Sequence, residues 1–290
     1  MTILQVPHSG APIGVFDSGL GGLSVVRWIL SELPNETVIY VADQEHVPYG
    51  GRDLSEVRGF AGGISSALVA AGCKAIVMAC NISSATALDE VSSRFPHIPV
   101  LGVIRPGARE AVSRTRNKKV GVLATSGTVK SGAYSATVRA IDREIDVYET
   151  ACPEFVPLVE SGSLDTDEAR EACATRLEPL LAFGVDTVIL GCTHYPFLLP
   201  ALRHAAPDVI FVDPAGRTAA ALSEALHARC LAAEHATGEH IFTTTGDVRE
   251  FKAQMARFLP EAPPLARVAH ARWRSGTLSI PVPCPVYAPV

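Results

Sequence analysis

The chain has 290 residues, a net charge of −5, 48% hydrophobic and 19% charged residues, so it exceeds one ordinary core and reads as two packed domains. The acidic balance leaves no electrostatic footprint for nucleic acid. No apolar run reaches the roughly 18–20 residues of a membrane span, and Met1 to Pro12 lacks a basic stretch followed by an apolar core, so no membrane contact and a cytoplasmic location are expected.

Pro12 to Phe16 is a short apolar strand that ends at Asp17-Ser18-Gly19-Leu20-Gly21-Gly22. Val25, Val26, Ile29, Leu30 and Leu33 then share one face at helical spacing, and Pro34 closes that helix. Thr37 to Ala42 is a second strand, followed by Asp43 and a loop with Pro48-Tyr49-Gly50-Gly51. A helix from about Leu54 to Ala71 is capped by Gly72, and Lys74 to Ala79 is a third strand running into Cys80-Asn81. Strands alternating with helices of this length predict parallel β-α-β units.

The scheme then restarts. Strands are expected at Ile98–Val103, Lys119–Ala124, Ile145–Tyr148 and Val185–Leu190. Helices are expected from Pro106 to about Thr115, from Thr128 to about Ile141, and up to Gly184, the last with Asp165-x-x-Glu168 as its capping pair. Beyond lie a strand at Val209–Asp213, a helix from about Gly216 to Leu231, an edge strand at Ile241–Thr244 and a last helix at Val248–Leu259. The proline-containing tail from Ala262 reads as irregular.

Two stretches resemble each other. Ile13 to Gly19 is like Val120 to Gly127, and Ala75 to Asn81 is like Thr187 to Thr193, with similar separations from the leading glycine to the cysteine. The weak repeat predicts two similar doubly wound α/β domains related by pseudo-symmetry, with the active site in the cleft between them. Residues 1–100 plus 206–290 would form the first domain, and 101–205 the second.

Each unit delivers one cysteine, Cys80 or Cys192, to the carboxyl end of a strand, the edge where open α/β sheets place ligands. Cys192 is read as sitting where a helix begins, with His194 two residues on. Both features favour a thiolate. The seven cysteines include no Cys-x-x-Cys pair, so reduced thiols and no zinc site are expected. Gly19-x-Gly21 carries Ser24 at the third position of a dinucleotide fingerprint and has no acidic residue clearly placed for a ribose, so no nicotinamide or flavin is called. Two opposed thiols, with the Asp17 carboxylate on one side and the His194 imidazole on the other, form a two-base proton-transfer site. One takes a proton from a carbon acid and the other returns one on the opposite face, without a cofactor or metal.

The motifs Gly14 to Leu23, Val47-Pro48-Tyr49-Gly50, Ala79-Cys80-Asn81, Cys152 to Glu160 and Gly191 to Pro196 follow one another in the order seen in cofactor-independent aspartate/glutamate racemases, which the chain resembles over most of residues 12–260. The resemblance implies glutamate racemisation supplying D-glutamate for peptidoglycan, usually by a homodimer. It implies Cys80 and Cys192 as the two bases, assisted by Asp17 and His194 respectively, with Glu160 near the second thiol. Ser18, Tyr49, Gly50, Asn81 and Thr193 match positions that hold the small-molecule substrate, as does position 82. There Ile82 replaces the family's usual Thr or Ser, leaving only its backbone N–H to donate, with Ser83 or Ser84 as candidates to compensate. That departure keeps two alternatives open: a relative acting on another acid such as aspartate or a malonate, or a weakly active member with a binding or regulatory role. A hydrolase using Cys192 alone leaves Cys80 and Asp17 unexplained.

Overall fold

In the computed structural model, which describes residues 7–281 other than 237, 262, 264 and 265, two parallel sheets carry the chain. The strands are β1 (Ile13–Asp17), β2 (Val38–Ala42), β3 (Ala75–Met78), β4 (Val100–Gly102), β5 (Lys119–Ala124), β6 (Asp146–Ala151), β7 (Thr187–Gly191), β8 (Ile210–Val212), β9 (His240–Thr244), β10 (Ala266–His270), β11 (Arg272–Arg274) and β12 (Thr277–Ser279). The helices are α1 (Leu23–Glu32), α2 (Leu54–Ala70), α3 (Asn81–Arg94), α4 (Ile104–Arg114), α5 (Ser126–Ser131), α6 (Ala133–Ile141), α7 (Phe155–Ser161), α8 (Asp167–Phe183), α9 (Leu199–Ala205), α10 (Pro214–Ala228) and α11 (Val248–Phe258).

The larger sheet has the order β10-β9-β2-β1-β3-β4 and the smaller one β6-β5-β7-β8, so the run β2-β1-β3-β4 is repeated as β6-β5-β7-β8. The internal repeat is therefore topological as well as sequential. Its leading glycines do the same work in both halves. A Cβ on Gly14 would press on Leu68 and Cys73, and one on Gly121 would press on Val188 and Leu180, so each glycine lets a helix or neighbouring strand lie close. The central strands β1, β3, β5 and β7 are buried nearly throughout, which explains their unbroken apolar runs.

Several elements differ from expectation. β4 pairs with β3 in the larger sheet, whereas β8 pairs with β7 in the smaller one. The chain thus returns to the larger sheet only at β9, because Val209–Val212 is the fourth strand of the repeat and completes the smaller sheet. β9 is no edge strand: it lies between β2 and β10. β10 and the antiparallel β11–β12 hairpin occupy a stretch expected to be irregular. Prolines flank these strands and do not interrupt them, so a composition-based reading of the tail misses them. Residues 282–290 of that tail, Cys284 among them, lie outside the described residues.

The expected helix through Thr128–Ile141 is split at Gly132, whose φ of 63° ends α5 and starts α6. The cap of α8 is Thr166, which accepts from the Ala169 N–H at 3.2 Å, while Asp165 pairs with Arg170. β6 begins and ends later than expected, at Asp146 and Ala151, in register with β5. Among the described residues no helix is long and apolar enough to cross a membrane.

Candidate active site

Cys80 and Cys192 follow the equivalent strands β3 and β7, and both are buried, 6% and 8% exposed. Around them the chain gathers Asp17, Asn81, Ile82, Thr193 and His194, all buried, with Tyr49 buried in the same apolar cluster as Cys80. Ser18 and Gly50 are half-buried.

Asp17 ends β1, and its Oδ2 accepts from the Gly22 N–H at 2.7 Å. The Thr193 hydroxyl donates to the same oxygen at 3.4 Å across the two halves. The glycine-rich turn is explained by this crowding. A Cβ on Gly21 would overlap the Thr193 and His194 side chains, and one on Gly22 would overlap Asp17 and Tyr40. Tyr40 donates to the Gly19 carbonyl at 2.7 Å and so fixes the turn from beneath.

The two sulfurs lie in unlike surroundings. Cys80 is the N-cap residue of α3, a position whose field favours a thiolate. Burial nevertheless dominates and, with the Asp17 charge, pushes its thiol up to about 12; the charge of Cys192 adds to this and Ser83 offsets part of it. The desolvation comes from Tyr49, Val57 and Ile82, with Leu54 and Phe60 packed behind. Ile82 also seals the seam between the halves, since its Cδ1 lies against Gly127 of α5. Of the two candidates to compensate for it, Ser84 is already engaged: its hydroxyl lies 2.8 Å from the Met78 carbonyl and accepts from the Val103 N–H.

Cys192 does not open an α-helix. A 3-10 turn, Tyr195–Leu198, intervenes before α9, so the helix-terminus field expected there is replaced by an imidazole. His194 Nδ1 lies 3.8 Å from the Cys192 sulfur, and its Nε2 lies 3.2 Å from Glu160 Oε1 in the last turn of α7. Burial opposes an imidazolium, but Cys192 and Glu160 override it and His194 is pushed up to about 10, with Asp17 adding to the effect. Charged, the ring donates at both nitrogens, to sulfur on one side and carboxylate on the other. Glu160 is half-exposed, so water screens its share.

The cavity that touches Asn81, Cys192 and Thr193 measures about 10 Å³, room for roughly one water. Among the described residues no cluster of three or more His, Cys, Asp or Glu side chains is gathered as for a metal ion.

Residues 13–222 match the Asp/Glu/Hydantoin racemase family. The chain belongs to this family. It is 45% identical over 253 residues to a glutamate racemase of Corynebacterium diphtheriae, covering 87% of this chain and 95% of that protein. The crystal structure of a glutamate racemase from Bacillus anthracis superposes with a TM-score of 0.87 at 35% identity, covering 93% of this chain and all of that one (100%). A Francisella tularensis glutamate racemase in complex with D-glutamate gives 0.84 at 31% identity, covering 90% and 98%.

Three racemase residues around the site escape a reading of the sequence. Tyr134 of α6 donates to Asn81 Oδ1 at 2.6 Å across the halves, which leaves the Asn81 amide N–H groups to donate elsewhere. Arg257 of α11 donates to the Glu160 and Val159 carbonyls at 3.1 and 3.4 Å, closing the end of α7. Neither carries a local signal, since both depend on elements distant in sequence. Asp43 does carry one: it follows β2 as directly as Asp17 ends β1, the same kind of strand-end carboxylate.

Proposed function

We propose that the chain interconverts L- and D-glutamate by proton transfer at Cα between two thiols, supplying D-glutamate for the bacterial cell wall, and that it works as a cytoplasmic homodimer. The observation that carries this reading is the placement of Cys80 and Cys192 after equivalent strands of two like-ordered sheets, with a different proton partner beside each. The glutamate racemases of similar sequence, and the D-glutamate bound in one of similar structure, support the substrate.

In one direction the Cys192 sulfur enters as thiolate, balanced by the His194 imidazolium. It takes the Cα proton, forming S–H as C–H breaks, and the electron pair passes toward the substrate carboxylate. Cys80 enters as thiol and returns a proton to the opposite face, leaving a thiolate there. The reverse direction exchanges the roles. Asn81, Thr193, Ser18 and the Tyr49-Gly50 turn hold the substrate's charged groups, and the burial of the site keeps water from competing for the carbanion. Asp17, beside Cys80 and bonded to Thr193, assists on the first side; Glu160 steadies His194 on the second.

Incubation with L-glutamate in deuterated water is expected to give D-glutamate carrying deuterium at Cα. Cys80→Ala and Cys192→Ala are each expected to slow racemisation by about 10²- to 10⁴-fold. Failure of the wild-type protein to racemise glutamate, or a wild-type rate in either variant, refutes the reading.

A further inference from the structure

Asp43 is fully buried and accepts from four side chains. Tyr49 donates its hydroxyl to Oδ2 at 2.5 Å, and His46 Nδ1 lies 2.9 Å from the same oxygen. The Thr245 hydroxyl and the Trp273 indole N–H donate to Oδ1 at 3.0 and 2.8 Å. These donors come from four places: the short 3-10 turns at Gln44–His46 and Tyr49–Gly51, the residue after β9, and strand β11 of the hairpin. All four donors converge on the two oxygens of one buried carboxylate, which has no other way to satisfy them, so the hub holds its members together.

One member reaches the proposed site. The Tyr49–Gly51 turn lies at the seam, where a Cβ on Gly50 would press on Thr125 at the end of β5. Its other anchors are apolar: Tyr49 packs on Phe60 at 5.6 Å, and Phe60 stacks on His46 at 4.0 Å. Trp273 closes this group, meeting His46 edge-on at 5.5 Å and lying so close to α2 that a Cβ on Gly63 would overlap its ring. Asp43 is also tied to the proton-transfer side, because its N–H donates to the Asp17 carbonyl at 3.0 Å.

We propose that Trp273 is a positioning residue for the substrate-holding turn: its indole N–H orients Asp43, and Asp43 orients Tyr49 and with it Gly50. The C-terminal hairpin is then a strap on one wall of the cleft, acting on binding of the amino acid's charged groups rather than on the proton transfer. This rests on the racemase reading above.

Binding held equally in ground and transition states moves KM and leaves kcat. Trp273→Phe keeps a ring against Gly63 and removes the N–H. It is expected to raise KM for both glutamate enantiomers about 3- to 10-fold, less than the roughly 10- to 150-fold of a hydrogen bond made directly to a charged substrate because the loss is passed on through the hub, with kcat unchanged. Tyr49→Phe is expected to do the same, and the double variant to do little more, because both substitutions loosen one hub. Trp273→His restores a ring N–H and is expected to recover part of the loss. Thermal unfolding of each variant is measured alongside. A lower Tm with unchanged KM, a loss in kcat alone, or additive effects of the two Phe variants overturns the strap. A wild-type protein that does not racemise glutamate refutes the earlier reading instead, so the two failures are distinguishable.

Discussion

Replacing Ile82 by Thr sets stability against binding. Ile82 is 3% exposed and lies between the apolar cluster around Cys80 and the backbone of Gly127. The substitution removes two carbon positions from that seam, about 1.5 kcal/mol of transfer free energy. The remaining gap and the newly buried hydroxyl bring the cost to about 2–3 kcal/mol. If position 82 faces a substrate carboxylate, the hydroxyl then supplies a donor worth about 1.5–3 kcal/mol, or about 10- to 150-fold in KM. Urea unfolding reads the first quantity, and circular dichroism of racemising L- or D-glutamate reads the second. Ile82→Val is the control: it is expected to cost about 0.5–1.5 kcal/mol and leave KM unmoved, since it adds no donor. A folded Ile82→Thr protein with unchanged or higher KM sinks the claim that this side chain meets the substrate.

Two further predictions concern burial of charge. Lys74 and Glu36 form an ion pair at 2.6 Å, 0% and 2% exposed; Lys74 also donates to the Ser9 carbonyl, and Glu36 accepts from the Ala233 N–H. Lys74→Met strands the carboxylate and is expected to cost about 3–5 kcal/mol in urea unfolding, whereas a second change, Glu36→Gln, recovers part of it. His194 has its native value raised from 6.5 to about 10, so its contribution is complete below about pH 6.5 and gone above about pH 10. Between pH 7 and 9, unfolding free energy is expected to fall by at most about 1.4 kcal/mol per pH unit, and His194→Gln is expected to flatten that slope. An unchanged slope in the variant shows that another group titrates there.

The parallel strands were legible because each central strand is buried on both faces and reads as an unbroken apolar run. The repeat of Gly14 to Cys80 in Gly121 to Cys192 was legible because close packing forbids a side chain at both glycines. The exchange of β4 and β8 between sheets was not, since a three-residue strand has no pattern that names its partner. Trp273 and Arg257 were illegible for a different reason: each acts on a residue 230 or 97 positions away, and nothing near it in the chain marks the contact.

The repeat also concealed what separates its halves. Two thiols at equivalent strand ends suggest equivalent chemistry, yet a two-face proton transfer needs one sulfur to enter as base and the other as acid. The differences lie just past the cysteines. Cys80 is followed by a true helix and packed in an apolar cluster that includes Ile82, and this burial together with the Asp17 charge from the end of β1 holds the proton on sulfur. After Cys192 comes a 3-10 turn that swings His194 under the sulfur with Glu160 behind it, so positive charge is held there instead. Under the two-thiol reading, symmetry of the fold puts a sulfur on each face of the substrate. The local departures from that symmetry keep the proton on the Cys80 sulfur and set a charged imidazole beside the Cys192 sulfur.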